Sequence, residues 1–220
     1  MKNILLVSAT PFEIAPLLEL LDLNEEIFKE KVHFEPLVTG VGMVNTTLSL
    51  CHQLTKNPYE YCINVGIAGS YRGDIPLGTA VEIMEDQYAF FGVETDSQGY
   101  ESVFDLGLIQ KDQFPFKDGR LTNTKRKFLS GLYQARGLTV QFVHGSSDSI
   151  ERAKRQYPDV EMETMEGAAF FQTCMQFQIP CNQFRGVSNY VEPRNRNNWK
   201  IREAIDAVCD KTFQFLKAIV

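Results

Sequence analysis

The chain is expected to fold as a three-layer α/β/α sandwich around a central mixed, largely parallel sheet, and three observations predict this. Strand-like segments alternate with segments of helical periodicity along the whole length. The strands read as continuous apolar runs, as in Ile4 to Val7, which marks strands covered on both faces. The 220 residues, 44% hydrophobic and 23% charged, suit one globular domain over 1–220, without internal repeat or low-complexity tract.

Taken in order, the first strand, Ile4 to Val7, ends at Ser8-Ala9-Thr10-Pro11. Thr10 is a helix cap and Pro11 a helix opener, with Ile14, Leu17, Leu18 and Leu21 facing inward and Glu13 in the first turn. Leu37 to Thr39 leads into a GVG turn and a helix whose apolar stripe reads Val44, Leu48, Cys51 and Leu54. Tyr61 to Val65 is a strand that runs into GIAGSYRG. Val81 to Met84 and Tyr88 to Val93 read as strands, followed by the polar loop ETDSQGYESVFDLGL and a second loop from Gln110 to Asn123. The spacing then predicts a helix over 125–134, a strand over 138–143, a short helix near 150–156 and a helix from about Glu163 to Phe177. Cys181 to Val187 is the last buried strand, and an amphipathic helix over 198–219 closes the chain.

Composition narrows the function. A formal net charge of -6 opposes a global grip on nucleic acid or an anionic membrane surface. The apolar run at the N-terminus is interrupted by Pro11 and Glu13, too soon for a signal peptide, and no stretch reaches the ~20 apolar residues that span a bilayer, so a cytoplasmic protein is expected. Cys51, Cys62, Cys174, Cys181 and Cys209 are scattered through apolar segments and read as reduced core residues. With only His33, His52 and His144 and no paired ligand spacing, neither a metal nor a cofactor is implied.

GVGMVN (Gly40 to Asn45) begins like a dinucleotide fingerprint, but Asn45 holds the third glycine's place and the strand from Tyr61 runs out into Gly66 instead of an acid. A tight turn is the better reading. In a parallel α/β sheet, ligands gather beyond the carboxyl ends of strands, which here are SATPFE, GIAGS, SSDS and SNY. In EMETMEGAAFF, Gly167, Ala168 and Ala169 allow close helix packing, with Met165 and Glu166 in the first turn. A carboxylate there either compensates the helix dipole or serves a site.

The early Glu13, the GIAGS loop, the run METMEGAAFF and the terminal RGVSN, in this order and approximate spacing, resemble the nucleoside phosphorylase and nucleosidase superfamily. The methylthioadenosine/adenosylhomocysteine nucleosidase branch and the futalosine hydrolases are especially similar, and SNYVEPRNRNNWKI and QGYESVFDLGL resemble the futalosine hydrolases in particular. The resemblance implies a hydrolase that cleaves the N-ribosidic bond of futalosine, releases hypoxanthine for menaquinone biosynthesis and works as a homo-oligomer, a dimer or higher, on a small purine nucleoside. It implies that Glu13 activates water, Glu166 grips the ribose beside Met165, and Asn189 contacts the base. Gly66, Ile67, Ala68, Gly69, Arg185 and Ser188 are implied as further substrate contacts.

Asn189 stands where adenine-specific nucleosidases carry an aspartate. An amide suits a 6-oxopurine, whose ring nitrogen and exocyclic oxygen are neighbouring acceptors, whereas a 6-aminopurine presents a donor at the same edge. Arg194 and Arg196, with Lys200, are either solvated surface charge or partners for the benzoate of futalosine, whose ring Tyr100, Phe104 and Trp199 are placed to enclose. Two other readings stay open. A phosphate-dependent 6-oxopurine nucleoside phosphorylase would need a phosphate pocket, for which Ile67 in the glycine loop and a stretch from Thr10 to Leu21 without a basic residue offer little. In a noncatalytic nucleoside-binding sensor, Asn189 would mark lost chemistry.

Overall fold

The computed structural model describes residues 1–96, 99–127 and 131–220. In chain order these form β1 (Lys2–Ser8), α1 (Pro11–Leu23), the short α2 (Glu25–Phe28), β2 (Val32–Val38), α3 (Met43–Lys56), β3 (Tyr61–Ser70), β4 (Ala80–Asp86), β5 (Gly92–Thr95), β6 (Gly99–Ser102) and β7 (Leu121–Thr122). They continue as β8 (Tyr133–Thr139), α4 (Ser147–Gln156), β9 (Met162–Thr164), α5 (Gly167–Gln176), β10 (Cys181–Tyr190) and α6 (Ile201–Ile219).

Five of the eight described pairings in the main sheet are parallel, which makes it the expected mixed, largely parallel sheet. It is not a simple open sheet. β10 pairs with both β3 and β4, β8 joins β4 to β9, and β9 returns to β3, so five strands close a ring from which β1 and β2 extend. Both faces are covered. Ile4 and Leu6 of β1 and Ile63 of β3 pack with Ile14 and Leu17 of α1 and Val208 and Phe215 of α6. Leu5 and Val7 and, from β3, Cys62 turn the other way, toward Leu50 of α3 and Phe170, Phe171 and Cys174 of α5. Burial from both sides accounts for the unbroken apolar runs, each fully buried aliphatic side chain contributing about 1.5–3 kcal/mol.

Several expectations are corrected. The described residues of 125–134 form no helix: residues 128–130 of that expected helix lie outside the described residues, and β8 has already begun at Tyr133, paired with Val81 of β4. Around it the backbone is satisfied by buried side chains, since Lys127 N donates to Tyr61 Oη at 2.6 Å and Lys127 O accepts from Asn182 Nδ2 at 3.0 Å. The strand expected over 138–143 therefore lies earlier and ends at Thr139. Tyr88 makes only an isolated bridge to Thr139, while Gly92–Thr95 pairs with Gly99–Ser102 as a hairpin inside the expected loop; Ser97 and Gln98 of that loop lie outside the described residues. Glu163 and Thr164 belong to β9, so α5 starts four residues later than its apolar pattern suggests, at Gly167. The closing helix likewise starts at Ile201, after a short 3-10 turn. On α3 the buried residues are Thr46, Leu50 and Leu54, whereas Val44 and Leu48 are 65% and 66% exposed. Thr46 turns inward because its hydroxyl is satisfied by Gly42 O at 3.0 Å.

Candidate active site

Glu13 is placed by a capping box. Thr10 Oγ1 accepts from Glu13 N at 3.4 Å, and Glu13 Oε2 in return accepts from Thr10 N at 3.1 Å and from the Thr10 hydroxyl at 2.8 Å. The other oxygen leaves the helix. Glu13 Oε1 accepts from Ile67 N at 3.1 Å, tying α1 to the carboxyl end of β3. Gly66 permits this approach, because a Cβ there would stand 2.8 Å from Glu13 Oε1 and 3.5 Å from Arg185 Nη1.

Arg185 on β10 is 1% exposed. Its Nη1 donates to Phe184 O at 3.1 Å and its Nη2 to Asn64 Oδ1, while Nε has no partner. Burial pushes the guanidinium down from its ordinary value, and the Glu166, Glu13 and Asp86 carboxylates counter that shift. A cation thus lies among three carboxylates.

Glu166 sits at the N-cap of α5 but its side chain caps nothing. Its Oε1 instead accepts from Gly42 N at 2.9 Å. Gly40 and Gly42 have φ of 85° and 92°, the left-handed region that favours glycine, so the GVG segment is a tight turn whose backbone donor meets a carboxylate. Burial raises the Glu166 carboxyl above the usual range; Arg185 and the Gly42 N–H oppose the rise and Glu13 adds to it.

Asn189 lies beside Gly69 where β10 slips register against β3. Its Oδ1 accepts from Ser188 Oγ at 2.8 Å and its Nδ2 donates to Tyr190 O at 2.9 Å. These two bonds fix the orientation of the amide and leave one N–H uncommitted. Ser188, which also lies 3.2 Å from Ala68 O, is buried and acts on Asn189 from behind. On the far side of Gly69, β9 sets Glu163, whose carboxylate accepts from Tyr71 Oη at 2.6 Å, from His144 N at 3.0 Å and from His144 Nδ1. That cluster pins the loop after β8 to the site.

The structure therefore brings together Glu13, Gly66, Ile67, Arg185 and Glu166, and aligns Ala68, Gly69, Ser188 and Asn189 along two neighbouring strands. Met165, partly buried, packs against the cluster of Leu138, Val140 and Val160. Arg194 and Arg196 are exposed, and their guanidinium carbons lie 5.4 and 5.7 Å from the Trp199 ring centroid. Tyr100 and Phe104 line a cavity of about 520 Å³ with Gln87, Lys111 and Tyr157, without Trp199. Asn64, Asp86, Gly42 and the Tyr71–Glu163–His144 cluster escaped sequence reasoning. A polar residue inside an apolar strand pattern, as in Asn64 and Asp86, was the available signal.

The arrangement supplies an outward carboxylate on a helix N-terminus, a second, half-buried carboxylate on a backbone donor, and an oriented amide. Such groups can polarise water, hold hydroxyls and stabilise developing positive charge. The profile described as "Phosphorylase superfamily" matches residues 3–220. A futalosine hydrolase of Thermus thermophilus is 31% identical over 180 residues, 80% of this chain and 77% of that protein. A 5'-methylthioadenosine/S-adenosylhomocysteine nucleosidase of Maridesulfovibrio salexigens is 26% identical, over 69% of this chain and 66% of the relative. Among solved structures, the futalosine hydrolase of Helicobacter pylori superposes with a TM-score of 0.73 at 14% identity, covering 99% of this chain and 97% of the other. The S. pneumoniae nucleosidase with a transition-state inhibitor reaches 0.75 at 19%, covering 99% and 100%. The chain belongs to the phosphorylase superfamily and is an enzyme of its N-glycosyl hydrolase kind.

Proposed function

We propose that this enzyme hydrolyses futalosine, releasing hypoxanthine in menaquinone biosynthesis, as a cytoplasmic homo-oligomer. The observation that carries the reading is the amide at Asn189, oriented by Ser188 and Tyr190 with a donor to spare, in a chain most of whose length resembles futalosine hydrolases. A neutral donor matches the acceptor edge of a 6-oxopurine, and hypoxanthine leaves with negative charge more readily than adenine, so no acid is demanded at that position.

In this reading Glu13 takes a proton from the attacking water. Its two oxygens are held by Thr10 and Ile67 N, so the carboxylate stays put while a remaining lone pair serves the water. Glu166 accepts from the ribose hydroxyls and stabilises oxocarbenium character as the N-ribosyl bond lengthens. Met165 packs on the sugar. Arg185, beneath them, keeps two nearby carboxylates compatible at close quarters. Arg194 and Arg196, already stacked on Trp199, supply cations for the substrate benzoate.

The test is incubation of the protein with futalosine, inosine and methylthioadenosine, with and without phosphate, following free base. Phosphate-independent release of hypoxanthine from futalosine is expected. Adenine release from methylthioadenosine at a higher kcat/KM, turnover that needs phosphate, or binding without base release would each overturn the proposal.

A further inference from the structure

Asp86, the last residue of β4, is 0% exposed and lies outside the groups given a role above. Its Oδ1 accepts from the Thr139 hydroxyl at 2.8 Å and from Gln87 N at 2.9 Å, and its Oδ2 from Gln183 Nε2 at 3.3 Å. The same Thr139 hydroxyl accepts from Ala168 N at 2.7 Å, within the first turn of α5. Thr164 Oγ1 takes the neighbouring donor, Gly167 N, at 3.2 Å. The helix is thus capped from behind by two threonines, one backed by a carboxylate. Its N-cap residue, Glu166, is released to point elsewhere. Glycines make the cradle: a Cβ on Gly167 would collide with Asp86 Oδ2 and the Gln183 amide, and one on Gly137 of β8 would stand 2.5 Å from the same oxygen.

We propose that Asp86 is a positioning residue for the active site. Through the Thr139 hydroxyl it anchors the first turn of α5 and so aims the Glu166 carboxylate. Three donors, the α5 N-terminus and the Arg185 charge all favour an ionised Asp86, with only burial against it. Burial pushes the carboxyl up to about 7, within reach of working pH. The charged and titratable groups that bear on it are Arg185 on β10, which also interacts with Glu166 and Glu13, and Tyr88 beyond β4, whose own phenol is pushed up by burial first and by Asp86 second. Protonation of Asp86 weakens the hold on Thr139, so Asp86→Asn imitates the protonated enzyme.

This assignment rests on the proposed reading of Glu166. The experiment is a double-mutant cycle in kcat/KM for futalosine with Asp86→Asn, Glu166→Gln and the pair, measured from pH 5.5 to 8.5. Asp86→Asn is expected to lower kcat/KM about 10- to 100-fold at pH 8, and to cost less than about threefold when Glu166 is already Gln. The wild-type rise through pH 7 is expected to flatten in Asp86→Asn. Should Asp86→Asn fail to fold, Thr139→Val carries the same expectations, and Thr139→Ser, which keeps the hydroxyl, restores the rate. Multiplicative losses, an unchanged acid limb, or equal loss with Ser and Val would overturn the assignment while leaving the hydrolase reading intact. Absence of wild-type turnover overturns both.

Discussion

Replacement of Asn189 by Asp separates the proposed reading from an adenine-directed one. In the native site one amide hydrogen goes to Tyr190 O at 2.9 Å, the oxygen receives Ser188 Oγ at 2.8 Å, and one N–H remains for substrate. Asn189→Asp keeps the acceptor for Ser188 but removes both donors. When ionised, the new oxygen faces the Tyr190 carbonyl on one side and the two acceptors of a 6-oxopurine on the other. Each unmatched buried polar contact costs about 1–3 kcal/mol, so futalosine kcat/KM should fall roughly 5- to 150-fold. The free protein loses a similar amount of stability, which for a chain of this size lowers Tm by about 2–4 °C per kcal/mol. The loss depends on pH. Carbonyl neighbours raise the pKa of the introduced carboxyl, so acidification restores an O–H donor and the deficit shrinks. The assay is the ratio of kcat/KM for futalosine to that for its 6-amino analogue, in both proteins, at pH 5.5 and 8. A ratio that stays within twofold at both pH values would show that Asn189 does not read the base, and the specificity argument would fall.

Three further outcomes follow from the same geometry. Glu13→Gln should lower kcat by about two to four decades with substrate binding retained; its single amide oxygen can accept from Thr10 or from Ile67 N but not from both, so a stability loss of about 1–3 kcal/mol accompanies it, and near-normal turnover in a folded variant would remove Glu13 from proton transfer. Glu166→Gln should slow single turnover and raise the substrate Kd together, and wild-type single-turnover rates would refute its part in stabilising the sugar. Asp86 binds a proton in the folded chain up to about pH 7 but in the unfolded chain only below about 4, so its contribution to stability is fully present below pH 4 and is lost as pH rises through 7. The slope corresponds to at most about 4 kcal/mol. Urea midpoints followed from pH 4 to 8 should decline in wild type and flatten in Asp86→Asn, and identical slopes would contradict this.

The sequence by itself determined the layered α/β architecture, since unbroken apolar runs such as Ile4 to Val7 have no stable home except between two helical layers. It determined the order of the chemistry as well: Thr10-Pro11 with Glu13 three residues on is a local capping signal, and METMEG, GIAGS and RGVSN are contiguous strings. What it left open was decided by contacts between distant segments. The pattern around Glu163 suits a helix, yet pairing of β9 with β8 and β3 holds Glu163 and Thr164 extended, and only then does Glu166 become an N-cap residue whose side chain is free for Gly42 N. Val44 and Leu48 fit an inward stripe on periodicity alone, but the side of α3 that meets α5 is set by packing, and it selects Thr46 and Leu50. Asp86 illustrates the limit most sharply. In sequence it is one acid at the end of a strand; a carboxylate is tolerated there because Gly137, Thr139, Gly167 and Gln183, from three later elements, converge with room and donors, and no local pattern encodes that convergence.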